Sequence, residues 1–156
     1  VNPQGDIPDN QAYVAFSPAG GRYSVKIPEG WSRTSSGTTT SFSDKLNKIQ
    51  ISAATASTQP TVASVKSTDV PSVTHTVPTF AMGKVSEVTR RGGKAILLTY
   101  QGDSAPDPVT GKVVRDAFER YTFYRAGRRV DLTLSGPTAA DNVDPWRIVS
   151  DSVRWG

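Results

Sequence analysis

The sequence predicts an α+β fold, a sheet assembled largely from hairpins with one amphipathic helix laid on it. Four observations carry the prediction. Along Arg22–Trp31, Tyr23, Val25 and Ile27 alternate with Ser24 and Lys26, giving an extended segment one apolar side. Pro28 and Gly30 then end that segment and turn Trp31 back toward the apolar side. Between residues 80 and 135, β-prone runs are separated by short Gly-containing turns. Near the end, Trp146, Val149 and Val153 fall at helical spacing behind a cap at Thr138 or Asp144 and Pro145 at the first helical position.

In chain order, residues 1–11 are polar and broken by proline, and are expected to be a flexible N-terminal tether. Such a stretch is what remains when an export signal or lipid anchor is trimmed, so the chain is expected to be extracytoplasmic and associated with the cell envelope. Residues 12–156 then form one domain. Ala12–Ser17 and the Arg22–Trp31 segment, joined by the turn at 18–21, read as a hairpin. A Ser/Thr-rich turn at 35–40 with short flanking strands follows. Ile49, Ile51 and Ala53 then alternate with polar residues in a strand.

From Ser52 through Thr79, 12 residues are Ser or Thr and both periodicities fade. Val62, Val65 and Asp69 or Val70 keep helical spacing behind Pro60-Thr61, predicting one short surface helix. Phe80–Thr89, Ala95–Tyr100 and Val113–Tyr124 read as strands, the second apolar on both sides and therefore central. In the third, the inward phase changes between Phe118 and the Tyr121, Phe123 pair, which predicts a bulge or bend. Val130, Leu132 and Leu134 give a further strand. The final helix is expected to carry Trp146, Ile148, Val149, Val153 and Trp155 on one stripe packed against the sheet.

A chain of 156 residues can bury roughly 70% of its unfolded surface as one domain. With no cysteine, neither disulfides nor thiolate metal sites are available. No apolar run approaches the ~18 residues of a membrane span. The formal charge of +4 is mild. It fits weak attraction to anionic surfaces, whereas the absence of basic runs interleaved with aromatics speaks against nucleic acid.

Chemistry is sparse. Asp103 and Asp107 share a wet loop, where neither is desolvated enough to act as an acid, and they read as turn formers; an oxygen-only calcium site there is the alternative. The three glutamates, Glu29, Glu87 and Glu119, are scattered, and His75, the only histidine, sits between threonines as an exposed loop residue. No catalytic residue, metal ligand or cofactor is expected, and the chain reads as a non-enzyme. One spatial inference stands out. In an up-and-down meander the turns at 90–94 and 125–129 lie at the same end of the sheet, with Asp103 and Asp107 at the other. Arg90, Arg91, Lys94, Arg125, Arg128 and Arg129 would then form a basic rim for an anionic partner.

The segments Tyr23–Trp31 and Tyr124–Leu134, followed by Trp146, Ile148, Val149, Ser152 and Val153, resemble the PsbP-like (Mog/PsbP-type) family, named for an extrinsic subunit of the photosynthetic oxygen-evolving complex. Exported LpqN-type lipoproteins of mycobacteria look similar in layout. The resemblance spans about Tyr13 to Trp155. It implies an α/β/α sandwich around a central, mostly antiparallel sheet with the C-terminal helix packed across it. It also implies a non-enzymatic role, binding a membrane complex, a partner protein or a small ligand.

Two functions follow as expectations. One is an exported, lipid-tethered, monomeric binding or scaffold domain that docks a membrane-associated protein or anionic surface through its basic hairpins. The other is a small-molecule carrier with a pocket between the sheet and segment 52–79, lined by Trp31, Phe42, Phe80 and Met82. A hydrolase, the third, requires a cleft holding a perturbed acid or base.

Overall fold

The alternating segments pair as period-2 strands should. In the computed structural model, which describes residues 5–156, the strands β3 (Ser32–Ser36), β4 (Thr39–Asp44), β5 (Asn47–Thr55), β6 (Ala81–Arg90), β7 (Gly93–Asp103), β8 (Arg115–Arg125) and β9 (Arg128–Pro137) form one sheet. Its order is β3-β4-β5-β9-β8-β7-β6 and every pairing is antiparallel. β6 to β9 are the expected meander, and β9 returns beside β5, pairing Lys48 with Ser135 through Thr55 with Arg128.

The front hairpin forms as read, from β1 (Tyr13–Phe16) and β2 (Tyr23–Pro28), but it does not begin this sheet. With β10 (Arg154–Trp155) it makes a separate three-stranded sheet, order β1-β2-β10. Val25 and Ile27 therefore meet the large sheet face to face, in a core shared with Phe42, Ile49, Phe123, Leu132 and Leu134. Trp31 packs against the same core, as expected.

The C-terminal helix α3 (Val143–Ser150) lies on this face with Val149 fully in the core and Trp146 against it. It is shorter than the sequence suggests. Val153 and Trp155 belong to extended chain, because the Ser152 hydroxyl donates to the Val149 carbonyl (2.6 Å) and accepts from Lys26 N–H (2.8 Å), ending the helix on β2. Ile148, expected on the apolar stripe, is exposed. The helix also starts before Pro145, and Asn142 at its N-cap makes no capping bond because its side chain is used elsewhere.

That use overturns part of the tether. The Asn142 Oδ1 accepts from Ile7 N–H (2.9 Å), while Asn142 Nδ2 (3.1 Å) and Asn47 Nδ2 (2.7 Å) both donate to the Gly5 carbonyl. Ile7 is buried. Residues 5–7 are thus docked, because two buried amides supply the partners that a polar strand would otherwise take from water; residues 1–4 lie outside the described residues.

The phase change in β8 is not a bulge. β8 keeps an unbroken register with both neighbours, and the register shift lies instead in β6, between Met82 and Val85. Phe118 faces one side of the sheet and Tyr121 and Phe123 the other, because both sides are covered. The second cover is helical: α1 (Val62–Ser64), a π-helical turn (Val65–Asp69) and α2 (Val70–Thr76) follow without a break. Thr61 and Ser64 form a capping box at its start. The π turn ends beside Pro71, whose ring would meet the carbonyl four residues back in a regular α-helix. Val65, Val70 and Val73 pack on Val85, Ile96, Leu98 and Tyr100. The expected short helix is therefore real but runs through 62–76, and a helix covers each face of an antiparallel sheet.

Candidate functional site

The face beneath the 62–76 helix changes character across the sheet, and this creates a groove. Three rows of paired residues run from β5 through β9 and β8 to β7: Lys48, Ser135, Phe118, Tyr100; Gln50, Thr133, Arg120, Leu98; and Ser52, Asp131, Thr122, Ile96. The helix covers the apolar end of each row and leaves the polar end open. The result is a groove of about 1120 Å³, floored by β5, β9 and β8 and walled on one side by Val73, Thr76, Val77 and Pro78. Loop 104–114 and the β4–β5 turn stand at its mouth. Its formation depends on Gly102, where a Cβ would lie 2.0 Å from Val77 Cγ1. Only glycine lets the chain leaving the helix lie on β7.

At the inner wall the helix is held by charge. Asp69, with its side chain 5% exposed, accepts from Arg120 Nη1 at 2.5 Å and from Arg129 Nη2. Asp131 accepts from Arg129 Nε at 3.0 Å and from the Thr122 hydroxyl at 2.6 Å, and lies 3.5 Å from Arg120 Nη2. Two guanidiniums and two carboxylates thus balance. For Arg129, burial alone would lower the pKa, but Asp131 and Asp69 outweigh it and hold it above the ordinary arginine value.

Beside this cluster stand aromatic rings. Tyr100 stacks on Phe118 (4.6 Å between ring centres, 10° between planes) and tilts against Phe80 at 5.4 Å. Burial pushes the Tyr100 hydroxyl up to about 12, with Arg120 pulling the other way. Two residues before Phe118 on the same face is Asp116, half-buried in the groove. Desolvation first, and then the charge of Asp103, push its carboxyl up to about 6.

The residues singled out in the sequence are placed as follows. Asp107 is a turn former: its Oδ1 accepts from Val109 N–H (2.8 Å) and Thr110 N–H (2.9 Å), and these backbone bonds hold its pKa below the usual range. Asp103 is bonded to Arg115 Nη1 at 3.2 Å. His75 is exposed on α2. Among the described residues no cluster of three or more His, Cys, Asp or Glu side chains suits a metal.

The basic rim is brought to one end of the sheet but not to one surface. Arg90 turns toward α3, stacking over Tyr121 (5.2 Å) and donating to the Ser150 hydroxyl (3.2 Å). Arg91 meets Asp151 at 3.5 Å, Lys94 meets Glu87 at 3.6 Å, and Arg128 donates to the Gly21 carbonyl at 3.1 Å. Arg129 lies on the other face, within the Asp69 cluster. Arg125 is exposed. Residues 90 and 128 share one face and residues 94 and 129 the other, since strand side chains alternate.

The four residues expected to line a carrier pocket are also separated. Trp31 and Phe42 join the α3-side core, Phe80 packs under the 62–76 helix, and Met82 is exposed. The groove lies elsewhere on the same helix–sheet boundary. Asp116 escaped the sequence reading: its i+2 relation to Phe118 gives the face it shares, but burial and the Asp103 charge, which set its character, come from the fold.

No protein-family model matches the chain, and no curated protein matches it in sequence. In three dimensions it is similar to the solution structure of cyanobacterial PsbP (CyanoP) from Synechocystis sp. PCC 6803. The TM-score is 0.63 at 13% identity, covering 99% of this chain and 100% of that one. It is also similar to a crystal structure from Bacteroides thetaiotaomicron VPI-5482, with a TM-score of 0.58 at 12% identity over 91% of this chain. The match spans about half of that protein, 48% of its length. At these identities the likeness establishes a PsbP-like fold and nothing finer.

Proposed function

We propose that this chain is a non-enzymatic binding domain, exported and lipid-tethered like the LpqN-type lipoproteins its layout resembles, that takes a small ligand in the groove between the sheet and the 62–78 segment. The observation that supports the reading is the groove itself. Its volume of about 1120 Å³ suits a drug-sized molecule, and the side chains of Gln50, Thr133 and Ser135 line it. A neutral Arg–Asp cluster fixes the wall and an aromatic stack stands beside it, so the site is largely preformed. Asp116 is a perturbed acid in a cleft, but Asp103, the nearest second carboxylate, is tied to Arg115, which favours binding over hydrolysis.

Amide-resolved NMR with a fragment library tests this reading. Binders should shift amides of 48–52, 116–120 and 131–135, and Thr133→Trp, which fills the floor, should abolish the shifts. Shifts confined to the hairpin turns, or unaffected by Thr133→Trp, would remove the groove from the account.

The alternative of docking through the basic hairpins keeps one specific support. Arg125 is exposed and the Arg91 side chain is 84% exposed at the same end of the sheet. Charge reversal at Arg91 and Arg125 should then abolish salt-sensitive binding to anionic liposomes.

A further inference from the structure

The groove holds one carboxylate that the rest of the protein does not compensate. Asp116 sits at the start of β8, opposite Gly102 on β7 and Pro137 on β9, neither of which can offer it a side-chain donor. Among the described residues, none of the charges that line the groove with it forms an ion pair with it. On β7, Asp103 repels it and is itself bonded to Arg115, whose side chain also donates to the Thr79 carbonyl. On β8, Arg120 is engaged by Asp69 and Asp131. In loop 104–114, Asp107 is locked in its own turn, and Lys112 lines the mouth. Lys45 and Lys48 stand across the groove on the β4–β5 turn and β5. The helical wall at 73–78 contributes Val73, Thr76, Val77 and Pro78 and no charge. Among the described residues Asp116 has neither an ion-pair nor a side-chain hydrogen-bond partner, yet it shares the groove with the partly buried ring of Phe118, two residues on along the same face and stacked on Tyr100.

A half-buried carboxylate next to an aromatic face is the pair of groups that recognises an organic cation: the ring quadrupole and the carboxylate attract the same positive charge. We propose that the Asp116–Phe118 end of the groove is a subsite for a monoammonium group, which pairs with the Asp116 carboxylate and lies against the Phe118 ring. Lys45, Lys48 and Lys112 around the mouth disfavour polyamines. A metal ion is a poorer fit, because no further free carboxylate converges on Asp116. The raised Asp116 pKa agrees with this: an incoming cation would favour the ionised form that burial and Asp103 now oppose.

The inference rests on the groove being a binding surface, and the test separates the two. Isotope-labelled protein is titrated with 2-phenylethylammonium and with its neutral isostere 2-phenylethanol, followed by amide shifts of 100–103 and 115–119. At about pH 7.5 the cation should bind at least about tenfold more tightly than the alcohol, a charge-assisted contact of ordinary size. The preference should fall at about pH 5, as Asp116 takes up its proton. Asp116→Asn should make the two probes equivalent. Phe118→Leu, which keeps an apolar side chain and removes the ring, should weaken cation binding more than alcohol binding. Equal binding of both probes to the wild-type groove would leave the groove reading standing and overturn the cation subsite. A cation preference that survives Asp116→Asn, or no shift with either probe, would overturn it as well.

Discussion

The Asp69 carboxylate accepts from Arg120 at 2.5 Å, joining a π-helical turn to a strand 51 residues further along the chain. Helix and sheet meet here through a buried charge cluster, whereas the surrounding contact is made by valines. Removing one member of such a cluster leaves a buried charge without its partner. Asp69→Ala should therefore destabilise the fold by about 3 kcal/mol. Chemical denaturation measures the loss, and hydrogen exchange should localise early opening to residues 62–78.

The second prediction concerns pH and Asp116. Its folded pKa is about 6 against an ordinary 3.8, so the unfolded chain releases the proton first as pH rises. The group therefore carries no penalty at low pH, weakens the fold progressively between about pH 4 and 6, and exerts its full cost above that window. Asp116→Asn should raise stability at pH 8 by on the order of 1 kcal/mol, after allowing for solvent screening of a half-buried group, and by nothing below pH 4. Urea titrations of both proteins across this range give the difference, in which titrations not coupled to Asp116 cancel.

Two arginines from one hairpin should behave differently. Arg91 makes an exposed pair with Asp151, so Arg91→Ala should change stability by less than about 1 kcal/mol. Arg90 stacks on Tyr121 and bonds Ser150, and Arg90→Ala should cost about 1–2 kcal/mol by loosening α3 from the sheet. A double comparison by thermal unfolding distinguishes them.

Asn142 holds the Gly5 carbonyl and the Ile7 amide at once. Asn142→Ala should leave the Ile7 amide without a partner and the Gly5 carbonyl with Asn47 alone, cost about 2 kcal/mol, and bring the Ile7 amide to rapid hydrogen exchange while α3 stays protected.

Gly102→Ala should be poorly tolerated, because the new methyl would occupy the position of Val77 Cγ1. A loss of about 2 kcal/mol is expected. Gly102→Ala combined with Val77→Ala should recover part of it, which a double-mutant cycle would measure.

Much of this architecture was readable from local pattern. Val25 and Ile27, Ile49 and Ile51, and Val130 to Leu134 each alternate, and each is a strand. Connectivity alone placed the turns after β6 and β8 at one end. The failures share a physical cause, which is that one residue's role is set by a distant partner. Val153 and Trp155 keep helical spacing but lie beyond the helix, because Ser152 ends it on β2 and Arg154–Trp155 pair with the β2 edge. Phe118 and Tyr121 look out of phase only if one assumes a single covered face. Arg129 looks like a hairpin-tip charge until Asp69, 60 residues away, is brought beneath it. Asp116 is unremarkable in the sequence; its character comes from Asp103 and from burial, neither of which spacing encodes.

Gly5, the first described residue, and Gly156 lie at opposite ends of the large sheet. Gly5 is fixed beside Asn47, near the groove mouth, whereas the Gly156 N–H donates to the Arg22 carbonyl at 3.0 Å and Trp155 Nε1 to the Gly92 carbonyl at 3.0 Å, by the basic hairpins. Immobilising the protein on a sensor chip through Gly156 would thus present the cleft to the flowing analyte, and attachment through the β4–β5 turn beside Gly5 would press it against the matrix. The same preparation, coupled in the two ways, would report two different affinities for one ligand.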